Sequence, residues 1–322
     1  MKSVTVVGCG IIGLTTAILL QESNFKVTIV AKERFDKTLS NKVGAIWFPF
    51  EIEPKEKANY WATIAYKQYQ QEVNKENGVS FIPFITAYNE KSNTDWVKLL
   101  PKKAVRKAKG SELPTGIDNA YISEVPLAEP LVYLPYLFNI FIKNGGNFIE
   151  QDIQNLQELS SLDKWVINCT GLGAKKICKD KHLHPMRGQI LRCKKTNISS
   201  FADSTKKGAL SYIINRTTDC VIGGTDYEND WNQNIEKSDT NLILNRIKKA
   251  GLKDKSPEIL EEIVGLRPKR NAVRFEFDKN FSNVFHNYGH GGAGFTVAWG
   301  CATELSKIFI KITDNKNNIS SL

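Results

Sequence analysis

Val4-Thr5-Val6-Val7-Gly8-Cys9-Gly10-Ile11-Ile12-Gly13 is the stretch that decides the fold. Residues 4–7 form a short run of apolar, mostly β-branched residues, which is the pattern of a buried strand. Leu14 to Leu20 continues with the apolar residues of a helix, so the three glycines fall between a strand and a helix. The spacing predicts a strand-turn-helix unit over residues 4–20.

The three glycines occupy the positions that a bound dinucleotide requires. Gly8 permits the tight turn, Gly10 lets a pyrophosphate approach the backbone, and Gly13 lets helix and strand pack closely. A second apolar strand, Val27 to Val30, follows, and Glu33 lies twenty residues after Gly13, where an acid that binds a ribose hydroxyl is expected. We therefore predict dinucleotide binding; a purely structural glycine turn is the alternative.

The composition is that of a globular protein with a sizeable core: 322 residues, of which 41% are hydrophobic and 24% charged. The net charge of +10 is interpreted as a lysine-rich solvated surface, because no basic block interleaved with aromatics indicates nucleic-acid binding. The longest apolar stretch, Leu131 to Ile142, is interrupted by Pro135 and Asn139, so no membrane span is predicted. The chain enters a strand at once, so no signal peptide is expected.

The six cysteines form no Cys-x-x-Cys pair, and no histidine lies near them at metal-ligand spacing. Several lie within apolar strands, which indicates buried thiols and a reducing compartment. No metal site is predicted from these residues.

The middle of the chain alternates helical and strand patterns. Val43 to Phe50 combines small residues with large aromatics, which predicts either backbone that approaches a flat ring or a loop that packs its own aromatics. Pro185 to Arg192 is interpreted as a turn that enters a strand, and a hairpin is expected over 211–224. Helices are predicted over 55–76, 131–144, 238–250 and 297–311, and strands over 148–149, 165–167, 211–214 and 220–224.

A second contact with the dinucleotide is predicted where the strand 165–167 ends. This strand runs into Asn168-Cys169-Thr170-Gly171. Strands that finish in Thr-Gly at the carboxyl edge of a sheet place backbone against a dinucleotide. Thr170 and Gly171 are therefore expected to contact the cofactor.

The last third holds two further motifs. Val264 to Arg270 places Arg267 in a predicted turn between apolar segments. Asn287 to Thr296 is predicted to be a glycine-rich loop that leads into an apolar helix, which aims helix N–H groups at an electron-rich ligand. Two such loop-to-helix elements indicate a long ligand bound at both ends, and FAD fits this pattern better than NAD.

These motifs together resemble the D-amino-acid oxidase and D-aspartate oxidase family of flavoproteins, and the resemblance covers nearly the whole chain in order. The most specific part runs from Tyr288-Gly289-His290-Gly291-Gly292 to Trp299-Gly300-Cys301. The other matching segments are 6–13, Ala45-Ile46-Trp47, 168–171, Arg187-Gly188-Gln189-Ile190, Tyr212-Ile213-Ile214 and Gly265-Leu266-Arg267-Pro268.

The resemblance implies an α/β fold, with a Rossmann-like FAD-binding domain of the glutathione-reductase type and an inserted β-rich substrate domain. The expected FAD-binding domain is discontinuous and comprises residues 1–50, 147–190 and 265–322, and the substrate domain comprises 51–146 and 191–264. The implied reaction oxidises a D-amino acid to an imino acid, while O₂ reoxidises the flavin and yields H₂O₂. The imino acid then hydrolyses to a 2-oxo acid and ammonia.

The resemblance also implies roles for single residues. Arg267 resembles the arginine that pairs with the substrate carboxylate, Tyr212 resembles the tyrosine that also holds it, and the Gly292 carbonyl is expected to accept from the substrate amine. A salt bridge for Arg267 and a core position for Tyr212 are the structural alternatives. Phe48 is expected to add an apolar wall. The residues expected to bind FAD are Gly8, Gly10, Ile11, Ile12, Gly13, Glu33, Arg34, Gly44, Ala45, Ile46, Ile153, Thr170, Gly171, Gly291, Gly292, Ala293, Gly294, Phe295 and Thr296.

Two positions depart from the family pattern. Gly208 stands where the amino-acid oxidase branch carries a second tyrosine, and Asp226 stands where the aspartate-oxidase branch carries an arginine for the distal carboxylate. If Asp226 faces the pocket, it is expected to disfavour acidic substrates and favour cationic ones such as D-Arg. The alternative is an Asp226 in solvent or paired with a lysine, with a preference for neutral D-amino acids.

Several functions stay open alongside D-amino-acid oxidation: D-aspartate oxidation, oxidation of glycine or N-methyl amino acids, a flavin dehydrogenase, and a non-catalytic FAD-binding protein. Ser320-Ser321-Leu322 is a degenerate Ser-Lys-Leu signal, so a peroxisomal location is expected in a eukaryote and a cytoplasmic one otherwise. The expected partners are a D-amino acid and O₂, and a homodimer is one state that the resemblance allows.

Overall fold

The computed structural model describes residues 2–49, 51–206, 208–249 and 257–319, with side chains up to residue 314. In it, the segment around the first three glycines folds as a strand, a turn and a helix. The first strand is Lys2–Val7, the helix is Ile11–Glu22, and the second strand is Phe25–Ala31. Val4 and Val6 are fully buried. The predicted strand-helix-strand unit is confirmed.

Strands and helices are numbered in chain order over the described residues. The helices are α1 (Ile11–Glu22), α2 (Lys55–Glu72), α3 (Pro130–Lys143), α4 (Leu156–Ser160), α5 (Ala174–Ile177), α6 (Lys237–Lys249) and α7 (Gly294–Ile319). The strands are β1 (Lys2–Val7), β2 (Phe25–Ala31), β3 (Val79–Ala87), β4 (Val105–Lys107), β5 (Ala120–Ala128), β6 (Asn147–Glu150), β7 (Val166–Asn168), β8 (His184–Lys194), β9 (Phe201–Asp203), β10 (Ser211–Asn215), β11 (Asp219–Gly223), β12 (Tyr227–Glu228), β13 (Ile259–Phe277) and β14 (Val284–His290).

These strands form one mixed sheet in the order β4-β5-β3-β9-β10-β11-β8-β13-β14-β7-β1-β2-β6, with β12 paired to β8. Neighbours from β14 to β6 run parallel, as in a Rossmann-like unit. From β4 to β14, neighbours run antiparallel except for the parallel pair β3 and β9. The predicted α/β fold with a β-rich portion is confirmed, and so is the hairpin of β10 and β11.

β13 connects the two portions of the sheet. Its first part, up to Lys269, pairs with β8, and its second part, up to Phe277, pairs with β14 after a register shift. The turn predicted at Val264 to Arg270 is therefore wrong, because this segment lies inside a 19-residue strand. The turn predicted within Pro185 to Arg192 is wrong for the same reason, since that segment is the partner strand β8.

The prolines explain how the two strands tolerate these sequences. Pro185 and Pro268 lie opposite each other in the register, so each of them lacks an N–H at the same step of the ladder.

The predicted domain boundary between Val264 and Gly265 falls inside β13, and the two-domain division stays a prediction.

The predicted helices are present with shifted ends. α2 ends at Glu72 rather than residue 76, and α7 begins at Gly294 and continues to Ile319. α3 forms despite Pro135 in its interior. Residues 50, 250 and 320–322, which were included in the predicted aromatic stretch, helix and peroxisomal signal, lie outside the described residues. In the described part of the chain, no helix is both long and apolar enough to cross a membrane.

Candidate active site

A cavity of about 480 Å³ opens where the carboxyl ends of β1, β2 and β7 meet the strands β8, β10 and β13. It contains the predicted cofactor and substrate residues from both portions of the sheet. The predicted residues that line it are Gly8, Gly10, Ile11, Ile12, Glu33, Gly44, Ala45, Ile46, Phe48, Ile153, Thr170, Gly171, Tyr212, Arg267, Gly291, Gly292, Gly294 and Phe295.

Two glycines at the start of α1, Gly8 and Gly13, have no space for a side chain. Gly8 has a positive φ of 117°, which favours glycine, and a Cβ there would overlap the Cys169 carbonyl. A Cβ at Gly13 would overlap the carbonyl oxygen of Gly8, so Gly13 serves the close packing of helix on strand and does not line the cavity. These contacts match the tight turn predicted at Gly8 and the close packing of helix on strand predicted at Gly13.

The N-terminus of α1 is open to an anion. Gly10 occupies the N-cap position, so α1 has no capping side chain of its own, and no acidic residue lies in its first turn. The Ile11 N–H donates to Ser40 Oγ at 3.1 Å, and Ser40 lines the cavity. A helix start of this kind attracts phosphate through its N–H groups and dipole. Ser40 was missed by sequence reasoning, because the polar stretch after β2 carries no motif.

Glu33 lies at the cavity just beyond the end of β2, with Ile153 as an apolar neighbour in the lining. Arg34, which was expected to bind the cofactor, does not line the cavity. Its guanidinium pairs with Asp36 at 3.0 Å and lies over the ring of Phe35. The Arg34 side chain thus makes its contacts on the surface beside the site and not within the cavity.

The loop 43–49 contributes both to the cavity wall and to the core. Gly44, Ala45, Ile46 and Phe48 line the cavity, whereas Trp47 is buried in the core and its indole N–H donates to the Ala62 carbonyl at 3.0 Å.

The Phe48 backbone is fixed by α7. The Thr296 hydroxyl accepts from the Phe48 N–H at 3.0 Å and donates to the Phe48 carbonyl at 2.9 Å. Thr296 therefore holds the cavity wall without lining it. Ala293 also lies outside the lining and is buried with Trp61 and Val297.

A chain of buried polar groups positions Thr170. Asn168 is fully buried, and its Oδ1 accepts from the Thr170 hydroxyl at 2.7 Å and from the Thr170 N–H at 3.2 Å. Its amide nitrogen lies 3.2 Å from His286 Nδ1, and His286 Nε2 lies 2.9 Å from Asp278. This network orients the Thr170-Gly171 turn toward the cavity.

Asn287 and His290 lie in β14, so the glycine-rich loop predicted to begin at Asn287 starts only after His290, because β13 pairs with this segment. The two side chains differ in their hydrogen bonding and burial. Asn287 is fully buried and lines the cavity, and neither its Oδ1 nor its Nδ2 has a hydrogen-bond partner among the described residues. A buried amide without partners is costly, so a bound polar ligand accounts for it best. Burial lowers the pKa of His290 to about 3, which keeps this imidazole neutral and makes it a very weak base.

Arg267 and Tyr212 meet at the other part of the lining. One guanidinium nitrogen of Arg267 donates to the Thr225 carbonyl at 3.0 Å. The guanidinium lies directly against Gly188, so that a Cβ at this glycine would overlap it. The Tyr212 ring lies against Gly223 in the same way. Burial raises the pKa of Tyr212, and the nearby Arg267 opposes that rise. A fixed cation and a protonated phenol therefore lie side by side.

Asp226 lies next to this pair but outside the cavity lining. It is half-buried, and no cationic group lies within salt-bridge distance among the described residues. Burial raises the pKa of the Asp226 carboxyl, and the positive charge of Arg267 opposes that rise. Several apolar residues line the cavity instead: Phe84, Ile190, Ala202, Leu210 and Ile214.

Within the described residues, no cluster of three or more His, Cys, Asp or Glu side chains is arranged to hold a metal ion. All six cysteines are free thiols.

Comparison with known proteins defines the class of this protein. The family profile described as "DAO: FAD dependent oxidoreductase" matches residues 3–308. The chain belongs to this family of FAD-dependent oxidoreductases.

Among its curated relatives, the D-amino-acid oxidase of Rubrobacter xylanophilus is 32% identical over 94% of both chains. The D-amino-acid oxidase of Dictyostelium discoideum is 34% identical over 94% of this chain and 90% of the relative. The solved structure of glycine oxidase from Bacillus cereus has a similar fold, with a TM-score of 0.79 at 16% identity over 97% of this chain and 96% of that one.

The residues of the cavity fit FAD. The uncapped start of α1 suits a pyrophosphate, the acidic Glu33 follows β2, and Asn287 has free polar atoms in the lining. FAD is therefore the cofactor of this enzyme, as the family requires.

Proposed function

We propose that this enzyme oxidises D-amino acids to imino acids, which hydrolyse to 2-oxo acids and ammonia, while O₂ is reduced to H₂O₂. The observation that carries the proposal is the pair of Arg267 and Tyr212 in the same cavity as the uncapped start of α1. A carboxylate anchor that shares a cavity with a flavin site suits an α-amino acid as the electron donor.

Arg267 is proposed to bind the substrate carboxylate. One of its nitrogens is engaged with the Thr225 carbonyl, which fixes the plane of the guanidinium and leaves its other N–H donors for a ligand. Tyr212 stays protonated because burial raises its pKa, so its hydroxyl can donate to the same carboxylate. Two donors of fixed geometry define both the position and the orientation of the carboxylate.

The carbonyl of Gly292, which lines the cavity, is proposed to accept from the substrate amine. Binding the carboxylate and the amine at separate points fixes the Cα–H bond that breaks during oxidation. His290 is excluded as the general base by its pKa of about 3. The amine is therefore expected to react in its neutral form, with no side chain required to remove its proton.

Bound FAD supplies the two-electron oxidation and is regenerated by O₂. The N–H groups at the start of α1, together with Ser40, are proposed to hold its pyrophosphate, and Glu33 its ribose. α7 has no acidic residue in its first turn, and Gly294 and Phe295 line the cavity. Its N-terminal dipole is therefore free to stabilise negative charge that develops in the cavity.

The lining supports neutral side chains as the preferred class. Phe48, Phe84 and Leu210 line the same cavity as Tyr212, and a glycine substrate has no side chain to contact them. This argues for substrates larger than glycine. Asp226 lies outside the cavity lining but interacts electrostatically with Arg267, so its charge is proposed to oppose a second carboxylate on the substrate from behind the lining, which argues against D-aspartate.

We expect kcat/KM to be larger for D-Arg than for D-Asp, and larger still for D-Met. The reason is repulsion between the charge of Asp226, which lies outside the lining, and the distal carboxylate of D-Asp. Asp226→Arg is expected to invert the D-Arg to D-Asp ratio, and Asp226→Asn to bring it toward one. A wild-type enzyme that prefers D-Asp would contradict this assignment of Asp226.

The function itself is tested with purified protein. We expect a flavin absorption spectrum, and stoichiometric H₂O₂ and 2-oxo acid from neutral D-amino acids but not from their L-enantiomers. Reduction of an artificial acceptor without H₂O₂ would identify a dehydrogenase instead. Bound flavin that no D-amino acid reduces under anaerobic conditions would indicate a non-catalytic FAD-binding protein.

Two further proposals concern the setting of the reaction. A tagged chain is expected in peroxisomes if the host is a eukaryote and in the cytoplasm otherwise, which fluorescence microscopy measures. A homodimer is one oligomeric state proposed for the chain, and light scattering of the FAD-loaded protein measures it.

A further inference from the structure

A second cleft, of about 580 Å³, lies beside the cofactor cavity and has no part in the proposed reaction. Leu39, Leu172, Gly173 and Leu266 line both spaces, so the two share a wall. We call this space the basic cleft. Its polar and aromatic residues are Lys37, Lys42, Lys175, Lys176, Trp231 and Gln233, of which Lys42 also lines the cofactor cavity.

The basic cleft carries concentrated positive charge. Among the described residues, four lysines and no aspartate or glutamate line it, and none of these lysines forms a salt bridge. Lys175 donates to the Leu183 carbonyl at 2.7 Å, and Lys176 donates to the Gln154 side chain, so both are positioned by neutral acceptors. Their charges are oriented but not neutralised, which favours binding of an anion with several charges.

The cleft also has an aromatic and apolar side. Trp231 is 50% exposed although it is large and apolar, and Val264 and Leu266 lie in the same lining. An exposed indole beside unpaired cations suits a ligand that combines a flat ring with negative charge, because rings stack on tryptophan while ammonium groups bind phosphate.

We propose that the basic cleft binds a free nucleotide with two or more phosphates, with its base against Trp231 and its phosphates among the lysines. This cleft lies beside the cofactor cavity and shares half of its lining with it, and its ligand does not depend on the identity of the amino-acid substrate. Because the two spaces share a wall, a nucleotide in the basic cleft is expected to restrain that wall and slow the release of FAD.

The test is calorimetric titration of the FAD-saturated enzyme with ADP, with adenosine and inorganic pyrophosphate as the two partial probes. ADP is expected to bind while FAD stays on the protein, with adenosine and pyrophosphate each at least ~10-fold weaker and with affinity that falls as salt rises. Lys37→Ala combined with Lys176→Ala is expected to weaken ADP at least ~10-fold. Trp231→Ala is expected to lower the affinity for ADP to that for pyrophosphate.

The matched control is Lys98→Ala, which removes an exposed lysine paired with Asp95 elsewhere on the surface and should leave ADP binding unchanged. ADP that binds only as FAD is released would place the nucleotide in the cofactor cavity and overturn the proposal. Equal affinities for ADP and pyrophosphate, or wild-type affinity in the double lysine variant, would overturn it as well. FAD retention on dilution, with and without ADP, measures the predicted coupling.

Discussion

Arg267→Ala is expected to lower kcat/KM for a D-amino acid at least ~100-fold while the enzyme keeps its FAD. Arg267 is the cation that lines the cavity beside Tyr212, and losing a charge-assisted pair with a carboxylate costs on the order of several kcal/mol. The flavin spectrum should be unchanged, because Arg267 approaches the substrate part of the lining. Steady-state kinetics with D-Met and the absorbance ratio of flavin to protein measure the two effects.

Gly188→Ala is the companion variant for this experiment. It keeps Arg267 but adds a methyl group where the guanidinium now lies, so the anchor must move. We expect a loss of kcat/KM smaller than that of Arg267→Ala, with FAD still bound. Near-wild-type kinetics of Arg267→Ala on every D-amino acid would show that the carboxylate is held elsewhere.

Gly10→Val is expected to yield flavin-free protein. A Cβ at Gly10 would lie 3.0 Å from Ser40 Oγ, and the valine methyl groups would extend over the open start of α1. The pyrophosphate needs this space, because its oxygens must reach the helix N–H groups directly. The measurement is the FAD content of the purified variant, together with the flavin affinity of the refilled protein.

The control for this variant is Gly110→Val, at a glycine with no atom within 4 Å of its added Cβ. Its positive φ of 49° makes valine unfavourable there, so it reports the effect of a strained valine far from the cavity. FAD content per folded molecule should stay normal in this control. A Gly10→Val protein that is purified yellow with normal FAD would mean that the pyrophosphate does not lie on α1.

The parts of the fold that depend on neighbouring residues could be predicted from the sequence. The β1-α1-β2 unit has an apolar strand, three spaced glycines and an apolar helix within one short segment, so its signal is local. The β10–β11 hairpin is local for the same reason. The end of α7 was underestimated, because its polar last turns lack the apolar period that marks the rest.

The parts that depend on distant partners could not be predicted. Residues 264–270 contain Gly265 and Pro268, which indicate a turn on their own, but β8 pairs with this segment from another part of the chain. Ser40 and Asn287 gain their importance from what α1 and the cavity place beside them, and neither follows from its own neighbours in sequence. Arg34 was expected to bind the cofactor, whereas its guanidinium pairs with Asp36 outside the cavity lining.

β13 has a consequence for protein engineering. The strand continues from the ladder with β8 into the ladder with β14, and Arg267 lies near the middle of it. A chimera that exchanges substrate portions between relatives at residues 264 and 265 would therefore join two foreign halves of one strand, with the register on both sides unmatched. Exchanges whose junctions leave Ile259–Phe277 intact, together with its partner β8, are the ones that preserve the enzyme.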